Sequence, residues 1–422
     1  MTRRRGFVGL FSSVARWRAL WVLAATSAAA LTPGLAPVLV AEAGPIRAEA
    51  HLGCGDTAGL IVAMASAARP TTIYLNTDNV AGCGYEIAKP FTKGQIASSP
   101  DGLPPVIGSL EIVGNGSTIR RVGTKSFRIL EVAATGDLTL SDATISGGNI
   151  DGNYVAETAY GTIGTSGSGG GVVNQGTLTL VRTRVAGNSA GTMGAGGGIN
   201  NAGRLTMTDT SIVDNSALQG GGLYSSSGPG LTMDGGEISA NHAESSGGGA
   251  YFTGGNQVIR DAVIIDNVSG DEGGGIENTG SLTLERTQVS DNDGGSGNGG
   301  GINNEGRLSM TGGSLARNRS RWNGGGLQQL GYALLTDVTI DQNQASGWYR
   351  PAFYYSHGGG IAIGNTTTYQ WDAWTYISGG TITNNWAQDG GGIFSDGTRV
   401  TVQGTSFAGN SPNNCSPAFA GC

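Results

Sequence analysis

The feature that most constrains this chain is a Gly-Gly-Gly triplet that occurs nine times between residues 169 and 392. The triplets begin at Gly169, Gly196, Gly220, Gly247, Gly273, Gly299, Gly324, Gly358 and Gly390. The first six intervals are 24 to 27 residues long, and the last two lengthen to 34 and 32 residues. A repeat of this length is typical of a solenoid, in which each repeat forms one coil that stacks on its neighbours.

Each coil also ends in an asparagine that follows apolar residues at fixed positions. The asparagines are Asn188, Asn215, Asn241, Asn267, Asn292, Asn318, Asn343, Asn385 and Asn410. In all nine coils the residues three and eight positions earlier are apolar, and so is the residue after each triplet. Three inward ladders predict three short strands per coil, hence an all-β, single-stranded, right-handed parallel β-helix of the pectate-lyase-like kind. We expect glycines at the corners and the asparagines in a left-handed turn ladder with bonded side chains.

The regular coils span residues 169–410, and both ends differ from them, as the caps of a solenoid must. Residues 44–106 predict an N-terminal cap with a helix from Asp56 to Arg69 and a strand at 72–75. Residues 107–168 predict irregular first coils, with a loop over 150–168. Residues 411–422 predict a C-terminal cap. The four cysteines lie in the two caps, which in an exported chain favours the disulfides Cys54–Cys83 and Cys415–Cys422.

Residues 1–43 predict an export signal, with a basic start, an apolar run too short to span a membrane, and small residues near 41–43. Five of the 24 basic and one of the 31 acidic residues lie in this segment, so its removal leaves 19 and 30 and a net charge of −11. That charge disfavours nucleic acid. We therefore expect a secreted or cell-surface monomer without a membrane span. No Cys or His has metal-ligand spacing, and we predict no metal and no cofactor.

The repeat resembles that of bacterial right-handed parallel β-helix proteins, in particular the polymorphic outer membrane proteins of chlamydial type. Their repeats carry Gly-Gly-apolar and Phe-x-x-Asn motifs, and Gly391-Gly392-Ile393 and Phe407 to Asn410 match both. Other coils replace the phenylalanine by Val, Ile or Leu. The resemblance implies an exported or surface β-helix, although nothing after Asn410 matches an autotransporter barrel.

An aromatic insertion at residues 347–376 is the longest departure from the repeat. Aromatic side chains suit the C–H faces of sugars or a protein partner, and loops on a rigid scaffold often carry function. Arg317, Arg319 and Arg321 precede the insertion with an alternation that predicts one basic side of an extended segment. We expect a polysaccharide or a cell-surface glycan or protein to bind Trp348, Tyr349, Tyr354, Tyr355, Trp371, Trp374, Arg319 and Arg321. The alternatives are an insertion that packs on itself and a solvated arginine rim.

Two further function classes stay open. A polysaccharide lyase or glycoside hydrolase would use Asp266, Asp291 and an arginine, because those carboxylates belong to adjacent coils. Asp is also common in turns, which is the structural alternative for both. His357 lies beside the insertion and is the one histidine worth testing. The last class is a scaffold without a ligand.

Overall fold

The computed structural model describes residues 48–66, 71–91, 100–150, 167–226, 228–347, 356–364, 374–397 and 399–422, and the backbone of two strands within 154–165. The export-signal prediction for residues 1–43 lies outside them. Residues Arg47–Cys422 form one compact unit of stacked β-coils, which confirms the predicted parallel β-helix. No helix in the described ranges is long and apolar enough to cross a membrane.

One sheet of 11 parallel strands is built mainly from the segments that follow the glycine triplets, and we call it the triplet sheet. Its strands are Leu130–Val132, Val172–Asn174, Ile199–Asn201, Leu223–Ser225, Ala250–Phe252, Ile276–Asn278, Ile302–Asn304, Leu327–Gln329, Ile361–Ile363, Ile393–Ser395 and Cys415–Ser416. The last of these shows that the predicted C-terminal cap contributes one more strand, with Cys415 opposite Ile393.

The other large sheet has 21 strands, two per regular coil or one long strand that replaces them, and we call it the large sheet. Its strands are Ala48–His51, Thr71–Tyr74, Gly84–Ile87, Ser109–Arg121, Asp137–Ser146, Thr177–Val181, Arg184–Ala186, Arg204–Val213, Gly230–Ser239, Asn256–Arg260, Val263–Ile265, Ser281–Glu285, Gln288–Ser290, Arg307–Thr311, Ser314–Ala316, Tyr332–Thr336, Thr339–Asp341, Trp374–Ser378, Thr381–Thr383, Arg399–Gln403 and Ser406–Ala408.

Three small sheets complete the described strands. Two of them follow the ladder asparagines and are parallel: Ser216–Ala217, His242–Ala243 and Val268–Ser269 in one, and Arg319–Ser320 and Gln344–Ala345 in the other. The last is an antiparallel hairpin of Tyr154–Thr158 and Gly161–Thr165. The prediction of a plain loop over 150–168 was therefore wrong. That segment is rich in glycine and threonine, and its alternation is too weak to indicate a strand.

The three predicted apolar ladders run through the core. All nine residues after the triplets and all nine residues eight positions before the asparagines are buried. The residues three positions before the asparagines are buried in eight coils, and only Phe407, in the last coil, is partly exposed. Burial of an aliphatic side chain contributes about 1.5–3 kcal/mol, so these ladders dominate the stability of the stack.

The asparagines form a continuous ladder of bonded side chains, as predicted, and all but Asn410 are buried. The Nδ2 atom of Asn241 donates to Oδ1 of Asn267 at 3.0 Å, and Asn267 repeats the bond to Asn292 at 3.0 Å. The left-handed conformation, however, belongs to the residue before each asparagine, such as Asp266 at φ 56°. The prediction that the asparagines themselves adopt it was wrong, because their amides must point along the stack to reach the next coil.

The triplets have two separate physical roles. The first glycine is left-handed, as Gly273 shows with φ +60°. The third has no room for a side chain, because a Cβ on Gly275 would lie 2.6 Å from the carbonyl oxygen of Gly301 in the next coil. A corner with both requirements accepts only glycine, which is why the triplet recurs in every regular coil.

The N-terminal cap also forms largely as predicted. Its helix is Thr57–Ala65, shorter than the expected 56–69, and the Asp56 carboxylate accepts a 2.8 Å hydrogen bond from the amide of Gly59 at its start. Cys54 is bonded to Cys83 and Cys415 to Cys422, so both predicted disulfides are confirmed.

Candidate functional site

The structure describes three of the eight predicted binding residues. Trp348, Tyr349, Tyr354, Tyr355 and Trp371 lie outside the described ranges, so their role stays a prediction. Trp374 lies on the large sheet, whereas Arg319 lies on a small sheet beyond the ladder asparagines, and Arg321 follows it. The structure therefore does not place Trp374 and Arg319 on one sheet.

Four residues on two neighbouring strands form an exposed apolar surface that we call the aromatic face: Tyr332, Leu334, Trp374 and Tyr376. Tyr332 pairs with Trp374, and Leu334 pairs with Tyr376. The alternating residues Ala333, Leu335, Thr375 and Ile377 are buried, which directs the aromatic face outward. Tyr332, Leu334 and Trp374 remain 47%, 40% and 39% exposed.

Arginines bracket the aromatic face along the stack. Arg307 pairs with Tyr332 from the coil before, and Arg399 pairs with Trp374 from the coil after. The Arg307 guanidinium carbon lies 5.2 Å from the centre of the Tyr332 ring, within the range of a cation–π contact. Four successive strands thus carry the exposed row Arg307, Tyr332, Trp374 and Arg399, which spans about 14 Å at the usual strand spacing.

The rings of the aromatic face are held in place by their own contacts. The Trp374 and Tyr376 ring centres lie 6.2 Å apart with an angle of 19° between the planes. The Tyr376 hydroxyl donates a 2.8 Å hydrogen bond to Oε1 of Gln403 on the next strand. Near-parallel rings on a rigid sheet present flat apolar area with polar edges, which suits the C–H faces of sugar rings.

The same positions in earlier coils are not aromatic. The row of Leu334 and Tyr376 includes Thr179, Thr206 and Thr232, which pair in register. Threonine is a good strand residue and needs no further explanation. The aromatic face is therefore confined to the coils around the insertion.

The predicted arginine alternation is broken by the backbone. Arg317 is left-handed, with φ 55°, so 317–321 is not one extended segment and the expected single basic side does not form. The Arg317 guanidinium instead forms two hydrogen bonds, of 2.8 and 2.6 Å, to the Asp291 carboxylate of the previous coil.

Asp266 and Asp291, the candidate carboxylates of a lyase or hydrolase, are both turn residues. Each precedes a ladder asparagine and has positive φ, 56° and 57° respectively. Both oxygens of Asp291 bind Arg317. The positive φ gives these aspartates a structural explanation, since Asp tolerates the left-handed region.

A group of carboxylates on the triplet sheet, which sequence reasoning missed, is the most unusual polar feature of the described chain. We call Glu272, Glu277 and Glu305 the acidic cluster. Each glutamate has one carboxylate oxygen that lies within 4.8 Å of such an oxygen of both other glutamates. Glu272 precedes a triplet, Glu277 is the middle residue of the strand that follows, and Glu305 follows the next strand of the sheet. The cluster therefore joins two successive coils.

Glu277 is 2% exposed although it alternates with the inward residues Ile276 and Asn278. Burial raises its pKa well above the usual range, and the charges of Glu272 and Glu305 raise it further against a hydrogen bond from Asn303. Burial and the charge of Glu272 raise the pKa of Glu305 as well. On the previous strand, burial and the charge of Glu277 raise the pKa of Tyr251 to about 12. The charged groups that act on Glu277 are thus acidic.

Amide groups hold the acidic cluster in place. Asn303 Nδ2 lies 3.1 Å from each oxygen of Glu277 and 3.5 Å from one oxygen of Glu272. Asn298 Nδ2 donates to the other Glu272 oxygen at 3.1 Å. Asn303 is fully buried, and its Oδ1 atom has no hydrogen-bond partner. The Nδ2 atom therefore faces the carboxylates, and the oxygen of the same amide is left without a partner.

His357 ends a polar line that begins at Glu272. The backbone amide of Asn323 donates to the Asn298 side chain at 3.1 Å, and the backbone amide of His357 donates to the Asn323 side chain at 3.0 Å. Burial lowers the pKa of His357, opposed by Asp389 at 3.9 Å. Its ring packs 4.0 Å from that of Phe394, so the histidine has a packing role at this position.

One sequence signal could have revealed the acidic cluster. When the coils are aligned on their glycine triplets, Glu277 and Asn303 occupy the same position, and they pair on the triplet sheet. Glu305 therefore lies two residues after the partner of Glu277. Residues that alternate with an apolar ladder are normally solvent-exposed, so the alternation assigns Glu277 to the surface and does not indicate its burial.

Comparison of the chain with protein-family models, with curated proteins and with solved structures finds no match.

Proposed function

We propose that this protein is a secreted or cell-surface module that binds a polysaccharide or a surface glycan through the aromatic face. The observation that carries the proposal is the exposed row of Tyr332 and Trp374 between Arg307 and Arg399, on a flat and rigid sheet. The two arginines favour a glycan that carries carboxylate or sulfate groups. Rigid aromatic side chains bind with little loss of conformational entropy, because the sheet fixes them before the ligand arrives.

The extracellular location belongs to the same proposal. The two disulfides support an oxidising compartment, and the predicted export signal at residues 1–43 points the same way. We also propose a relationship to the polymorphic outer membrane proteins of chlamydial type. It is based on the motifs within residues 390–410.

Binding is favoured over hydrolysis by the state of the candidate carboxylates. Asp291 is committed to Arg317, and Asp266 has the positive φ of a turn residue. Glu277 is too buried for a sugar ring to reach it. Glycoside hydrolysis needs two carboxyl groups on either side of an accessible bond. The aromatic face, in contrast, is open to solvent over two coils.

The test is binding of the full chain to a panel of neutral, uronic-acid and sulfated polysaccharides, measured by calorimetry and pull-down. We expect Tyr332→Ala with Trp374→Ala to weaken binding at least tenfold, since each stacked ring contributes about 1 kcal/mol. Trp386→Ala is the matched control, because Trp386 is 40% exposed but lies outside the aromatic face. Undiminished binding by the double variant would overturn the proposal, as would equal loss in the control.

A further inference from the structure

The strands that carry the aromatic face differ in charge from the rest of this acidic chain. Four successive strands contain two arginines and no aspartate or glutamate: Arg307–Thr311, Tyr332–Thr336, Trp374–Ser378 and Arg399–Gln403. Among the described residues, no acidic side chain forms an ion pair with Arg307 or Arg399. The strand before them ends in Glu285, whose carboxylate is bound by Arg260 at 3.1 Å. The aromatic face therefore belongs to a cationic surface on a chain with a net charge of −7.

Neutral polar groups line the other edge of the same four strands. They pair in register along the stack and comprise Thr311, Thr336, Ser378 and Gln403. Hydroxyl and amide groups both donate and accept hydrogen bonds, as the hydroxyls of a sugar do. The surface thus combines rings, neutral hydrogen-bonding groups and two separate positive charges, a combination that suits an acidic sugar chain.

The spacing of the coils matches the repeat of such a chain. Successive strands lie about 4.8 Å apart, and a pyranose residue in an extended polysaccharide has a similar length. A polysaccharide that runs along the stack therefore places one sugar on each coil. Two inner sugars lie on Tyr332 and Trp374, and the outer sugars on either side reach Arg307 and Arg399.

The separation of the two arginines sets the charge pattern of the ligand. Arg307 and Arg399 lie three strand spacings apart, about 14 Å, so one carboxylate cannot bind both. The ligand must carry acid groups on sugars that are three residues apart. A uronic-acid homopolymer satisfies this condition at every position. A polymer in which acidic and neutral sugars alternate does not, because one of two sugars three residues apart is then neutral.

We propose that the aromatic face and its two arginines bind four successive sugars of a polyuronate that runs parallel to the axis of the solenoid. The inference rests on the proposed glycan-binding function and adds the direction, length and charge pattern of the ligand. Arg307 and Arg399 determine the specificity for acidic sugars, since a guanidinium forms two parallel hydrogen bonds with a carboxylate. Tyr332 and Trp374 supply apolar contacts that neutral and acidic sugars share.

The experiment is calorimetry of the full chain with oligogalacturonides of two to six sugars. We expect affinity to rise at least about tenfold from two to four sugars, because the longer chain reaches a second ring and a second arginine. From four to six sugars it should change no more than about threefold, the gain from alternative registers alone. Hyaluronan hexasaccharide, in which acidic and neutral sugars alternate, should bind at least about fivefold more weakly than hexagalacturonide.

Single substitutions locate the charged ends of the site. Arg307→Gln and Arg399→Gln should each weaken tetragalacturonide binding about fivefold, the contribution of an exposed ion pair. Together they should weaken it about 25-fold, because distant sites are additive. Digalacturonide should lose no more than about twofold in either variant, since it keeps the other half of the site. Arg204→Gln is the matched control, because Arg204 is exposed at the same position of the large sheet four coils earlier.

The outcomes separate this inference from the proposed function. Absence of binding to every polysaccharide would remove both. Binding that depends on Tyr332 and Trp374 but not on chain length would overturn this inference alone. Equal affinity for hyaluronan, binding of sulfated polysaccharides only, or equal losses in Arg307→Gln and Arg204→Gln would do the same.

Discussion

Carboxylates occur in two contrasting regions of this solenoid. At the turns, Asp142, Asp261 and Asp291 each bind an arginine one coil later through two hydrogen bonds of 2.6 to 2.8 Å. On the triplet sheet, Glu277 instead has two other glutamates and amide groups around it. The hydrogen bonds from Arg286 lower the pKa of Asp261, whereas burial raises that of Glu277.

The contrast shows that stacking brings the charges at equivalent positions of successive coils close together, whether they are opposite or alike. Successive strands lie about 4.8 Å apart, so a side chain in one coil always meets its counterpart in the next. At the turns the chain places opposite charges in that relation and neutralises them. In the acidic cluster it places like charges together, and neutralisation must come from protons or from a cation.

Asn303→Asp tests this contrast with the largest expected effect. It adds a fourth, fully buried carboxylate beside Glu277. At pH 8 we expect a loss of about 3 kcal/mol of unfolding free energy, the cost of leaving a buried charge uncompensated. Urea denaturation measures this loss.

Asn323→Asp is the control, since Asn323 occupies the next coil and is bonded to the line that ends at His357. Its loss of stability should be smaller, because Asn323 is only partly buried. Equal losses in the two variants would mean that the like charges around Glu277 do not determine the cost.

The pH dependence of stability should have opposite signs in the two regions. The folded pKa of Glu277 is raised above about 4.5, so its stabilising contribution is complete below that pH and is lost as pH rises through the folded value. The folded pKa values of Asp142 and Asp261 are lowered, so their contribution is lost as pH falls below about 3.8. In EDTA, Tm should therefore decrease from pH 5 to pH 8.

Glu277→Gln should flatten this decrease, because the remaining cluster then holds less charge. Glu244→Gln, which alters an exposed carboxylate beside His242, should leave it unchanged. A Tm that rises from pH 5 to pH 8 in EDTA would contradict the assignment of a raised pKa to Glu277.

The fold was predictable because its signal is periodic. Each triplet and each ladder asparagine repeats a local requirement, and nine repetitions separate that requirement from chance. The strand after Gly273 could therefore be located to the residue, with Ile276 buried as expected. The hairpin at 154–165 occurs once, and a single weak alternation did not distinguish it from a loop.

The candidate sites were less predictable because they depend on exceptions to the repeat. Trp374 was identified from composition, but its partner Tyr332 lies before the insertion and becomes a neighbour only through the register. Glu277 alternates with the apolar ladder, so the pattern assigns it to solvent, and its burial depends on packing that alternation does not encode. A repeat pattern thus predicts which residues stack but not which outward residues the surrounding chain covers.

Asp291→Asn tests the turn side of the contrast with the smallest expected effect. It removes the charge that binds Arg317 but keeps a residue suited to positive φ, as Asn384 shows at the equivalent turn with φ 54°. Because the ion pair is partly exposed, we expect a loss below about 1 kcal/mol in urea denaturation. Asp291→Val removes the same charge but forces a β-branched residue into the left-handed region, which costs about 1–3 kcal/mol more. Equal losses in the two variants would mean that the ion pair, and not the turn conformation, determines the residue at this position.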